Sequence, residues 1–140
     1  MTRMIFINLP VRDLGPSGAF YRALGGTVNG LFSDEQATCV MFSDTIGVML
    51  LTHERYSQFT SRPIGDARAQ SQALLALSVE TREEVDTAIT AAVAAGGRAD
   101  PNPVQDLGFM YGRSAEDPDG NVWEILWMDP AAAESGPPAG

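Results

Sequence analysis

The sequence predicts an α+β fold made of two tandem βαβββ modules, and three observations carry that prediction. One order of elements is written twice along the chain. Each of the two predicted helices stops at a Gly-Gly pair, Leu24-Gly25-Gly26 and Ala95-Gly96-Gly97. A tight turn, Asp117-Pro118-Asp119-Gly120, feeds a closing strand rich in β-branched and aromatic residues. A repeat of this kind changes the expected architecture, because each half presents one open sheet face that needs a partner.

In the first module, the apolar run Met4 to Leu9 reads as a strand. Asp13 supplies an N-cap and Pro16 sits in the first turn, so Phe20, Tyr21 and Leu24 form a helix stripe that the first Gly-Gly pair ends. Strand-like runs follow near Thr27–Phe32, Ala37–Phe42 and Gly47–Thr52, divided by Ser33-Asp34 and Ser43-Asp44. In the second module, Ala73–Val79 reads as a strand and Thr81 to Glu84 as a T-x-x-E capping box. Val85, Ala88, Ile89, Ala92 and Val93 then recur at helical spacing. A weak strand near Arg98–Pro101, a stronger one at Phe109–Ser114 and the closing run Val122–Met128 complete the repeat.

One domain is expected over residues 1–130, with modules at about 4–52 and 73–129 and a connector at 53–72. That connector is long for a compact domain and should cover something or serve as an interface arm. The tail 131–140, rich in Ala, Pro and Gly, is expected to be disordered. Nine basic against eighteen acidic residues give a net charge of −9, which argues against nucleic acid and anionic membranes as partners and permits a cationic ligand. A single cysteine, Cys39, excludes an internal disulfide and suits a reducing cytoplasm, and no apolar leader precedes Arg12 and Asp13. Cys39 itself reads as a small buried apolar residue.

The opening Asn8-Leu9-Pro10-Val11-Arg12-Asp13-Leu14, Phe20-Tyr21 in the first helix, and the closing Asp-Pro-Asp-Gly-Asn-Val-Trp-Glu-Ile resemble the vicinal oxygen chelate superfamily. That is the glyoxalase, bleomycin-resistance and extradiol-dioxygenase grouping, and the resemblance runs from about Met4 to Asp129. It implies a half-open, cleft-bearing mixed β-barrel and a homodimer. It also implies four metal-binding positions, of which Glu124 fills the last in the conventional way. The other three fall near Phe6, Leu50 and Leu74, and their neighbours Ile5, Ile7, Met49, Leu51, Ala73 and Leu75 are no better donors. If a metal is held at all, Glu124 and the lone His53, with Asn8, are the residues left to hold it; no cofactor is expected.

Strand alternation assigns a cleft face to Glu124, Val122 and Leu126, and Trp123, Ile125 and Trp127 to a helix-packed face. The matching cleft sets are Phe6 and Asn8; Val48, Leu50 and Thr52; Leu74, Ala76 and Ser78; and Tyr111 with Phe109, or alternatively Met110. The candidate ligand-binding residues are therefore Glu124, Asn8, Phe6, Leu50, Thr52, Leu74 and Tyr111. Glu124 has three candidate roles: proton transfer, anionic anchor for a cationic ligand, or a structural acid tied to Asn8 or Tyr111. The leading expectation is a metal-independent protein that binds a small molecule, an antibiotic or a cation. The alternative is a metal-dependent lyase, isomerase or dioxygenase. An interaction module with an occluded cleft is a third reading.

Overall fold

The computed structural model describes residues 2–138. Its elements run β1 (Ile5–Val11), α1 (Leu14–Ala23), β2 (Thr27–Val28), a 3-10 turn (Gly30–Phe32), β3 (Ala37–Met41), β4 (Ile46–Thr52) and α2 (His53–Tyr56). The second half continues β5 (Leu75–Ser78), α3 (Arg82–Ala94), β6 (Arg98–Ala99), β7 (Gln105–Asp106), β8 (Met110–Glu116), β9 (Val122–Met128) and α4 (Pro130–Ser135). Two sheets result, one in the order β1-β4-β3-β2 and one in the order β5-β9-β8-β6 with β7 also on β8. In each, the first strand of the module runs parallel to the last and the remaining pairings are antiparallel. The α+β class and the doubled module order are as the sequence predicts, and the sheets do not close into a barrel.

The helix boundaries follow the predicted chemistry. Asp13 accepts from the Gly15 amide, and Thr81 accepts from the Glu84 amide while Glu84 reaches back to the amide of Glu80. Both helices end in the same hydrogen-bond pattern, Gly26 N–H to Tyr21 C=O and Gly97 N–H to Ala92 C=O. Gly25 and Gly96 take the left-handed step that this pattern needs, at φ 104° and 100°. Gly97 has a different reason to lack a side chain: a Cβ there would lie 2.6 Å from the Phe20 ring of the other module.

That contact marks where the modules meet. α1 packs against α3, and a shared core gathers Phe20, Tyr21, Val48 and Leu50 with Val85, Ile89, Trp123 and Ile125. The modules are thus joined through the helix-side faces of their sheets, and the opposite faces point outward. The connector lies over the closing turn, with Arg68 donating to the Pro118 carbonyl.

Four elements depart from the sequence expectation, one of them the two-residue strand β7, which pairs with β8 where no strand was expected. The run Thr27–Phe32 is a two-residue strand and then a 3-10 turn, which Asn29 caps by accepting from the Leu31 amide. Residues 53–56 form a short helix capped by Thr52. The tail is helical over Pro130–Ser135, because Asp129 caps it and Pro130 opens it, whereas disorder was expected from 131; residues 139–140 lie outside the described part. Among the described residues no helix is long and apolar enough to cross a membrane.

Candidate functional site

The sheet faces turned away from the helices carry the candidate site, and the register identifies their residues. Directly paired residues share a face. In the first sheet Phe6 pairs with Gly47 and Gly47 with Met41; Asn8 pairs with Met49 and Met49 with Cys39; Pro10 pairs with Leu51 and Leu51 with Ala37. Phe6 and Met41 close over Gly47, where a Cβ would lie 2.6 Å from the Met41 sulfur and 3.1 Å from the Phe6 ring. Above Leu51 and Asn8, Tyr56 of α2 and Phe59 and Thr60 of the connector enclose a cleft of about 340 Å³. Its walls are apolar, with the Asn8 amide and the Tyr56 and Thr60 hydroxyls as polar points. Cys39 is almost fully buried on this side of the sheet, and burial raises its thiol pKa, so it is inert.

In the second sheet Glu124 pairs with Ala76 on one side and Ser114 on the other, and Leu126 pairs with Ser78 and Gly112. Glu124 therefore stands half-buried on the open face, among small side chains, as the alternation predicts. Trp123 and Ile125 are buried against the helices. The ion pairs among the described residues join Arg12 to Asp119, Arg55 to Asp34, Arg82 to Asp106, Arg98 to Glu116, and Arg113 to Asp86 and Asp100, and none includes Glu124.

Of the other predicted site residues, Phe6 and Asn8 lie on the open face of the first sheet. Leu74 precedes β5, is 57% exposed, and shares the parity of Ala76. Leu50 is a correction. It is fully buried in the helix-side core with Val48, so the open face of β4 carries Gly47, Met49 and Leu51 instead. Thr52 is a second correction, since its hydroxyl is the cap of α2 and accepts from the Arg55 amide. Tyr111 is a third: its hydroxyl donates to Asp86 of α3 at 2.6 Å and its ring stacks under Arg82, both on the helix side. Met110, the alternative, shares the open face with Gly112 and Ser114. A structural tie from Glu124 to Tyr111 is thereby ruled out.

The family's four metal positions carry one carboxylate, Glu124, beside Phe6, a Leu or Met of β4, and Leu74, which is not a donor set for a divalent ion. His53 lies elsewhere, in a smaller cleft of about 50 Å³ with Arg12, Asp119 and Asn121. Among the described residues no three His, Cys, Asp or Glu side chains converge on one point. These residues do not fit a metal.

The closing motif does something its turn chemistry alone does not announce. Asp119 accepts from the Arg12 amide at 2.9 Å and from the Ser17 hydroxyl at 3.2 Å. Asp117 accepts from the Asp119 and Asn121 amides, the Asn121 side chain and the Tyr21 hydroxyl, and that hydroxyl accepts from Trp123 Nε1. The turn fastens the second module to α1 of the first and starts β9 at a fixed position, which places Glu124.

The chain belongs to the glyoxalase/bleomycin resistance protein/dioxygenase superfamily, whose family model matches residues 3–125. Among solved structures it is similar to a hypothetical protein from S. aureus at 26% identity, covering 91% of this chain and 94% of that one with a TM-score of 0.74. A glyoxalase/bleomycin resistance protein/dioxygenase family enzyme from Burkholderia phytofirmans is 24% identical over 91% of this chain and 99% of its own, at a TM-score of 0.71. A fosfomycin resistance protein from Listeria monocytogenes shares the fold at 18% identity, 91% coverage of each chain and a TM-score of 0.64. A comparison with curated proteins finds no match.

Proposed function

We propose that this protein binds a small cationic molecule without a metal, in a cleft that two copies of the chain complete. The observation that carries the reading is the 340 Å³ cleft over the first sheet, of ligand size and largely apolar. Two further features support it. Glu124 is a carboxylate of the other open face that no ion pair among the described residues includes, whereas Glu116 on that face is paired with Arg98, and the net charge of −9 draws cations in. Within one chain the modules meet through their helices, so the faces bearing Asn8 and Glu124 point outward with Phe6 and Leu74 46% and 57% exposed. A symmetric homodimer lays the first sheet of one copy against the second sheet of its partner and brings apolar wall and carboxylate together. Binding alone requires affinity and no transition-state complementarity, so the missing metal donors are no obstacle.

Calorimetry against cationic glycopeptides and aromatic cations tests this. Glu124→Gln is expected to weaken the best ligand by about tenfold or more, the scale of a hydrogen bond to a charged group. Glu124→Gln mixed with a first-sheet variant that repels a cation, Asn8→Lys, should regain binding that neither variant shows alone, because each mixed dimer holds one intact cleft. Stoichiometric metal retained after reconstitution and lost in Glu124→Gln would overturn the proposal in favour of an enzyme.

A further inference from the structure

The cleft over the first sheet is lined by uncharged residues, Asn8, Leu51, Tyr56, Phe59 and Thr60. Local backbone geometry sets its aromatic wall. Past α2 the chain tightens, with the Gln58 amide donating to the Arg55 carbonyl at 3.1 Å and the Phe59 amide to the Tyr56 carbonyl at 3.0 Å. Residues three apart in such a turn eclipse one another, so the Tyr56 and Phe59 rings stand on one side of it, the side of the cleft that both line. The turn is held at its root. The Thr52 hydroxyl caps α2, and the Arg55 guanidinium donates to Gln36 at 3.2 Å and to Asp34 at 3.3 Å. Leu51 beneath is buried, whereas Phe59 is 73% exposed. Most of that ring's apolar surface is therefore still in water, and a flat group entering the cleft buries it.

The polar points of the cleft have a sense. Thr60 Oγ1 accepts from the Arg62 amide at 3.2 Å, which leaves its own proton to donate. The side-chain hydrogen bonds of residues 52–62 are those of Thr52, Arg55 and Thr60, so the Tyr56 hydroxyl has no partner among the described residues, and neither has the Asn8 amide. An amide nitrogen and two hydroxyls present mainly donor hydrogens, which suit an acceptor oxygen. Charge is excluded in both signs. No Arg, Lys or His lines the cleft to pair an anion, and the net charge of −9 repels one. No Asp or Glu lines it to pair a cation, and an unpaired charge is costly to bury. A neutral carbonyl on a flat ring satisfies wall, donors and charge together.

We infer that this cleft takes the neutral end of the ligand, an aromatic carboxamide whose ring lies against Tyr56 and Phe59 and whose carbonyl oxygen accepts from Asn8 and Thr60. This rests on the reading of the cleft as a ligand site, and it places the ligand's cation outside the cleft, on a tail. Ligand-observed NMR on the full-length protein tests it. The probes are benzamide, cyclohexanecarboxamide as its saturated counterpart, benzoate as its anionic one, and benzamide N-substituted with a diethylaminoethyl tail as the cation. The wild type should bind benzamide about twofold to tenfold more tightly than cyclohexanecarboxamide, the scale of an aromatic pair, and benzoate more weakly than benzamide. Phe59→Leu keeps apolar bulk without the ring. It should abolish the preference for benzamide and, because Phe59 is exposed, leave the urea midpoint unchanged. Asn8→Leu should weaken both carboxamides by about twofold to tenfold, the scale of one hydrogen bond. Glu124→Gln should weaken the tailed benzamide alone. A ring preference that is absent from the wild type or survives Phe59→Leu would overturn the inference. So would benzoate binding more tightly than benzamide, a lowered urea midpoint in Phe59→Leu, or a change in self-association in its place, which would assign the ring to a contact with a second copy. A ring preference lost in Phe59→Leu, with no gain from the charged tail, would uphold the neutral site and refute the cation anchor. Loss of the tailed benzamide in Glu124→Gln without any ring preference would do the reverse. Binding of none of these probes would refute both.

Discussion

At the scale of single residues, the Tyr21 hydroxyl stands at the junction of the modules. It donates to Asp117 and accepts from Trp123 Nε1, with all three side chains buried. Burial is the main reason its pKa lies well above the usual phenol range, with the Asp117 charge adding to it. Burial also raises the Asp117 carboxyl pKa, against the pull of its donors Tyr21 and Asn121. A folded pKa above the unfolded value means that Asp117 contributes stability below about pH 3.9, and that this is lost as pH rises through the folded value. Tyr21→Phe removes a donor to the ionised form and pushes that pKa further up. It should cost about 1–3 kcal/mol in urea unfolding at neutral pH, and measurably less at about pH 3, below even the ordinary Asp value of about 3.9, where a carboxyl with a raised pKa is mostly protonated and needs no donor. Equal costs at the two pH values would show that the hydroxyl acts through Trp123 alone. The sequence displays Asp117 and Asp119 as turn formers but not as fasteners. Their partners Tyr21, Ser17 and Arg12 lie 96, 102 and 107 positions away, and no local pattern encodes such a pairing.

At the scale of elements, legibility depended on contrast between the two faces. β9 alternates buried Trp123 and Ile125 with half-buried Glu124 and Leu126, and its facing is readable from the sequence. β4 has no such contrast. Val48 and Leu50 fill the helix-side core while Gly47 and Leu51 are buried on the other face, so parity alone chose the wrong row. β8 inverts the usual pattern, for its helix-side row includes Tyr111 and Arg113, which bind Asp86 and Asp100. Substitution separates the rows of β4. Leu50→Ala should cost about 2–5 kcal/mol by leaving a core cavity. Met49→Ala, on the half-exposed open face, should cost clearly less and lower ligand affinity more. A larger stability loss at Met49 would mean that the facing has been misassigned.

At the scale of the whole molecule, the repeat and the family resemblance were legible because a βαβββ order and its Gly-Gly stops are local signals. The way the modules meet was not, because helix-side and open-face contact between them need the same apolar strands. The shared core makes the halves interdependent: Phe20 packs on Gly97, and Phe42 lies 5.7 Å from Trp123. A fragment of residues 1–72 should therefore show no cooperative urea transition by circular dichroism, whereas the full chain should show one. A cooperative transition in the fragment would make the first module a folding unit in its own right. The fastening by the closing turn also sets a timetable for biosynthesis. A ribosome extends the chain at about 5–20 residues per second, so Ser17 and Tyr21 wait roughly 5–20 s for the residues that will hold them. The helix is made 96 to 102 residues before the turn that secures it, and over that interval the first module cannot commit to its final form.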